Sequence, residues 1–231
     1  SVTNNGVVFR SGPEYEGLAA RTLSPAPGLP AGVVFRSLPS STTRAAVGIN
    51  GDVVFSARVA GVGYSSAWSG LWKSTSQDTS LLIGVGSPAS ALGNGVVFSN
   101  LVANSTAGTL WVMDNGDTVF VTGLGGQGVN LVSNIAVYKI GTTGTHSLVA
   151  RAGVPTSALP DGVTLVSTVL PRVMKAIGND HIVFTSQLQG ATAGVTTAND
   201  DVLIRHTNSN GLELIAREGE QIGNYILKSF V

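Results

Sequence analysis

The chain has 231 residues, 13 Lys and Arg against 13 Asp and Glu, and only 11% charged residues, against roughly 25% in an average globular domain. Balanced charge with no basic stripe excludes the electrostatic footprint of a nucleic-acid binder, and the lack of any apolar run near ~20 residues excludes a membrane-spanning helix. The absence of cysteine excludes disulfides, thiolate catalysis and cysteine-based zinc sites.

Thirty glycines, abundant Ser and Thr and few helix-forming surface residues predict a turn-rich β protein. From the N-terminus, Asn5-Gly6-Val7-Val8-Phe9 reads as a turn entering a strand, because Asn and Gly both accept the positive φ of a tight hairpin. The pattern returns at Asn50-Gly51-Asp52-Val53-Val54-Phe55, at Asp114-Asn115-Gly116-Asp117-Thr118-Val119-Phe120 and at Gly178-Asn179-Asp180-His181-Ile182-Val183-Phe184. Phe55, Phe120 and Phe184 are 65 and 64 residues apart, whereas Phe9 precedes Phe55 by 46. A middle strand follows each Phe strand: Gly70-Leu71-Trp72-Lys73, Ile135-Ala136-Val137-Tyr138-Lys139 and Asp201-Val202-Leu203-Ile204-Arg205. Next comes a strand ending in an Ala-Arg step, at Arg21, Arg151 and Arg217, with Leu81–Gly86 in the same slot but without the Arg. A Pro/Gly loop then leads to a Gly-Val strand: Gly32–Phe35, Gly95–Phe98, Gly162–Leu165 and Asn224–Leu227.

This order divides one repeat domain, 1–231, into an incomplete unit over about 1–48 and units over 49–112, 113–176 and 177–231. The expected fold is all-β: tandem repeats of about four antiparallel strands, closed into a small four-bladed propeller-like ring or laid out as stacked sheets. Closure would hide the sheet edges. Recurrence makes Arg21, Arg151 and Arg217, with Phe55, Phe120 and Phe184, structural repeat positions, each Arg tying the fold together through a carbonyl or an acid. Gly123-Leu124-Gly125-Gly126-Gln127-Gly128 lacks the helix that a phosphate-binding loop must enter, so it is expected to form a hairpin loop.

The Asn-Gly to Phe segments and Ala216-Arg217-Glu218-Gly219 together resemble the bacterial tandem-repeat surface proteins with an Asn-x-x-Gly-x-x-Ala-Phe signature. The likeness covers most of the chain, with a shorter spacing from Asn50 to Phe55 and with Val54, Val119 and Val183 in place of the Ala. It implies a secreted or surface-displayed protein with no assigned catalytic residues. Ser1 is not an initiator methionine and no signal peptide is visible, as in a processed mature chain.

No catalytic constellation is legible. His146, His181 and His206 lack metal-type partners at short spacing, no Gly-x-Ser-x-Gly elbow exists, and Glu14/Glu16 and Glu218/Glu220 lie in expected loops. No cofactor is implied; calcium is the one metal that the oxygen-rich turns holding Asp52, Asp114, Asp117, Asp200 and Asp201 could take. Trp68, in a Ser/Gly-rich loop, is the candidate for stacking on a glycan, and Asn104-Ser105-Thr106 is a glycosylation sequon at Asn104. The expectation is a non-enzymatic extracellular or cell-surface structural protein that joins copies of itself through β-strand addition. The alternative is a carbohydrate-binding or glycan-hydrolysing propeller.

Overall fold

A computed structural model describes residues 6–12, 15–39, 45–93, 95–101, 110–167, 170–190 and 193–230. The described residues include nineteen β-strands and a 3-10 turn at Ser90–Leu92. A hairpin of β1 (Val7–Gly12) and β2 (Tyr15–Arg21) comes first. Three five-stranded antiparallel sheets follow. The first runs β3 (Val34–Ser37), β5 (Val53–Ala60), β6 (Ser69–Ser74), β7 (Thr79–Gly84), with β4 (Ala45–Val47) also on β5. The second runs β8 (Val96–Asn100), β10 (Thr118–Gly126), β11 (Ile135–Ile140), β12 (His146–Arg151), with β9 (Leu110–Val112) on β10. The third runs β13 (Thr164–Leu165), β15 (His181–Gln189), β16 (Asp201–Thr207), β17 (Gly211–Arg217), with β14 (Val173–Ile177) on β15. A short pair, β18 (Gln221–Ile222) and β19 (Tyr225–Ile226), comes last.

Each sheet opens on a Gly-Val strand and closes on an Ala-Arg-type strand, so the sheets take their first strands from before residues 49, 113 and 177. Register is set by a bulge that recurs where the middle strand meets its successor, at Leu71/Trp72, Val137/Tyr138 and Leu203/Ile204. The N-terminal hairpin carries the same bulge at Val8/Phe9. Phe9 therefore holds the register of Trp72, Tyr138 and Ile204, and β1 is a middle strand. The 46-residue interval compared two different strands, because a short apolar run before a Phe does not distinguish them.

The side chains sort by the two-residue period of a strand. Phe35, Phe55 and Trp72 form the first sheet's aromatic face, each no more than 1% exposed. Phe35 and Trp72 meet edge to face, centroids 5.0 Å apart, and Phe98 repeats the contact on Tyr138 at 4.9 Å. Such pairs add to plain area burial. In the third sheet Leu165, Phe184 and Ile204 take these places, also buried. The aromatic face always meets the element before it. One core cluster joins Val8 and Ala20 to the Phe35-Phe55-Trp72 face, a second joins Val54, Leu71 and Ile83 to Phe98, Phe120 and Tyr138, and a third joins Val119, Val137 and Val149 to Phe184 and Ile204. Among the described residues, none of these clusters joins the third sheet to the first.

The chain passes between sheets the same way each time. The Leu23 amide donates to the Phe35 carbonyl at 2.8 Å, Gly86 to Phe98 at 2.8 Å, Gly153 to Leu165 at 2.9 Å and Gly219 to Leu227 at 2.8 Å. Tyr225–Leu227 thus takes the place of a sheet-opening strand. The glycine-rich segment departs from expectation: Gly123–Gly126 belongs to β10. Leu124 is buried, and Gly123 and Gly125 pack closely on Ser99 and Asn100 of β8, where a side chain would crowd the pairing.

Candidate functional site

The Asn-Gly turns lie along one edge, where β4 rests against β9 and β9 against β14. Lys73 pairs with Asp52 at 3.0 Å and Lys139 with Asp117 at 3.6 Å, in surroundings that leave little of either side chain exposed. Asp117 also accepts from the Asn115 side chain at 3.1 Å and the Thr142 amide at 3.2 Å. Sheet is tied to sheet here: the Asp114 amide donates to Gly178 O at 3.0 Å, and the Asn115 side chain to Asn179 O at 3.2 Å. Lys139 reaches on to the Asn208 side chain, whose own amide donates to Asp180 at 2.6 Å. These bonds put a chain of charge-assisted contacts between sheets two and three.

Of the acids named as calcium candidates, Asp52 and Asp117 are thus partnered by lysines. Asp201 pairs with Arg172 at 3.0 Å and Asp200 accepts from Gln187 at 3.5 Å. Asp114 contributes its amide to the turn contact. Among the described residues, no group of three or more His, Cys, Asp or Glu could hold a metal ion. The histidines stay apart. His146 sits edge-on to Phe98, His181 opens β15 at the surface, and His206 lies within β16. Burial lowers the pKa of His146, and burial followed by the nearby Lys139 lowers that of His206, with Asp180 opposing. Tyr138 is pushed up to about 12 by burial, with Arg151 opposing.

Two of the three recurring arginines hold carbonyls. Arg151 Nε donates to Ser133 O at 2.9 Å, and Arg217 Nε to Asn199 O at 2.6 Å, each pinning the loop that enters the middle strand. Arg21 closes β2, opposite Val7. In the first sheet Gly84 occupies this register, and a Cβ there would fall 2.4 Å from the Trp68 ring. Trp68 thus lies where the Arg runs elsewhere, half-buried and edge-on to Tyr64 at 5.0 Å. Phe55, Phe120 and Phe184 are all in the core. Glu16 lies in β2 and accepts from Ser11 at 3.0 Å, while Glu218 and Glu220 accept backbone amides at the turn after β17. Asn104 and Glu14 lie outside the described residues.

A column escaped the sequence reading: Arg10, Lys73, Lys139 and Arg205 each follow the residue in the Trp72 register. The dipeptides Phe9-Arg10, Trp72-Lys73, Tyr138-Lys139 and Ile204-Arg205 carry that signal. At the two ends, apolar residues face solvent: Val7, Phe9 and Leu18 on the first hairpin, and Val173, Ile177 and Ile215 on the third sheet.

The sequence profile of one family matches residues 1–225. The chain belongs to the family of unknown function DUF7453. No curated protein and no solved structure matches it significantly. Across this DUF7453 chain Phe55, Phe120 and Phe184 lie in the core, and Lys73, Lys139, Arg151, Arg205 and Arg217 hold side-chain or carbonyl partners on neighbouring strands and loops. No helix among the described residues is long and apolar enough to cross a membrane.

Proposed function

We propose that this protein is a non-catalytic structural element displayed outside the cell, a row of stacked antiparallel sheets that assembles with further copies of itself. One observation carries the reading: the three core clusters join neighbours strictly in chain order, hairpin to first sheet, first to second, second to third. That order favours an open stack of repeats over a closed four-bladed ring, and an open stack can be extended by repeating the same contact. The resemblance to bacterial tandem-repeat surface proteins and the low content of charge support the extracellular placement.

Strand addition is the proposed joint. Tyr225–Leu227 takes the place of a sheet-opening strand, and among the described residues the only strand paired with β19 is β18, through Gln221 and Ile226. In the first sheet the equivalent β3 also pairs with β5. The free edge of β19 offers main-chain groups to a strand from another copy. Negative-stain microscopy and light scattering test this: the intact chain forms linear assemblies, and deletion of residues 224–231 reduces them at least tenfold. Intact assemblies from the shortened chain would exclude this joint. A compact, ring-like particle would exclude the open stack.

A further inference from the structure

The two exposed ends are the two halves of a junction that the molecule already makes twice inside itself. Within the second sheet, Val119, Val137 and Val149 are 0–4% exposed because the third sheet covers them. Strand register places Val183, Leu203 and Ile215 of the third sheet at the same positions. Val183 and Leu203 are half-buried and Ile215 is 47% exposed. Val173 and Ile177 on β14 extend this face on either side of the exposed Lys175, which lies opposite Val183, and the Arg205–Glu213 ion pair flanks Val183 on its other side. At the other end, Phe9 holds the register of Trp72 and Tyr138, which are fully buried against the element before them. Phe9 is instead 59% exposed, with Leu18 beside it at 55% and Val7 at 52%. Valine-and-leucine face against aromatic face is how sheet one meets sheet two, through Val54, Leu71 and Ile83 on Phe98, Phe120 and Tyr138.

From this correspondence we infer an interaction surface for a second copy of the chain: the outer face of its third sheet, centred on Val183, Leu203 and Ile215, stacks on the Phe9-Leu18 face of the next copy's N-terminal hairpin. The inference rests on the self-assembly proposed above and assigns the faces that carry it. The contact is heterologous, so it repeats without closing and lengthens the stack. Exposed clusters of this kind mark interaction sites on soluble proteins. The internal precedent identifies the partner, because each face is already satisfied inside the molecule by the chemistry of the other.

Two variants of the full chain test it, Phe9→Glu and Ile215→Glu. Both residues are about half exposed or more, so circular dichroism and melting temperature should match the parent. In analytical ultracentrifugation each variant alone should show assembly reduced at least tenfold, since each blocks one end. Mixed at equal amounts, they should form dimers and nothing longer, because only one productive pair of faces survives. Parent-like assembly by both variants would overturn the stacking while leaving self-assembly standing. A parent chain that stays monomeric at high concentration would overturn both.

Discussion

Arg151 and Arg217 donate to loop carbonyls through Nε, and the same register in the first sheet holds Gly84 beneath the Trp68 ring. One slot is thus filled in two ways, by a guanidinium from one strand or by an indole from the loop that the guanidinium would have held. The histidines give this scale a pH dependence. Burial lowers the pKa of His146 and His206 in the folded protein below the ordinary 6.5. The unfolded chain therefore binds protons that the folded chain refuses, and stability falls as pH drops through and below that value. The melting temperature should be lower at about pH 5.5 than at about pH 7.5, and the doubly substituted His146→Gln/His206→Gln chain should lose most of that difference. An unchanged difference in the double variant would assign the effect to other groups.

At the scale of the element, glycines separate turn chemistry from close packing. Gly51 has φ +75° and open space around it, so Gly51→Ala meets only the left-handed backbone penalty, about 1–2 kcal/mol. Gly126 has φ +97° and the Gly95 carbonyl oxygen 2.0 Å from where a Cβ would sit. Gly126→Ala must push β8 away from β10, and its cost should exceed about 3 kcal/mol in urea unfolding, among the larger single-residue effects. Equal losses at the two positions would refute the distinction. These glycines also show what was legible. Strands with alternating Val and Phe and the Asn-Gly turns were readable, because period two and positive φ are local properties. That Gly123–Gly126 is strand was not, since its reason is the close approach of Ser99 and Asn100 from another strand. The register of Phe9 depends likewise on a bulge in its pairing with β2. The ion pairs of Lys73 and Lys139 were hidden because each joins a strand lysine to the turn entering the neighbouring strand, although the spacing of the basic residues was open to inspection.

Across the whole molecule, order of stacking governs stability. The second sheet is covered on both faces, by the first and by the third, whereas the β18–β19 pair and the outer face of β1 and β2 are exposed. In a fold where each sheet depends on its neighbours, opening begins at the ends. Hydrogen exchange should be slowest in β10 and β11 and fastest in β18 and β19, and uniform protection along the chain would argue against an open stack. The sequence pattern did not decide between ring and stack, because both repeat the same strands and differ only in which faces meet, and the hiding of sheet edges leaned towards the ring. The chain-order contact of the aromatic faces also has a mechanical consequence. The 65 residues from Phe55 to Phe120 could reach ~220 Å when drawn straight, yet successive packed sheets are separated by about 10 Å. If the proposed open stack is pulled from its ends, it would yield one sheet at a time, each release adding more than twenty times the length that it gives up, so that a short stack would carry a long reserve of tether.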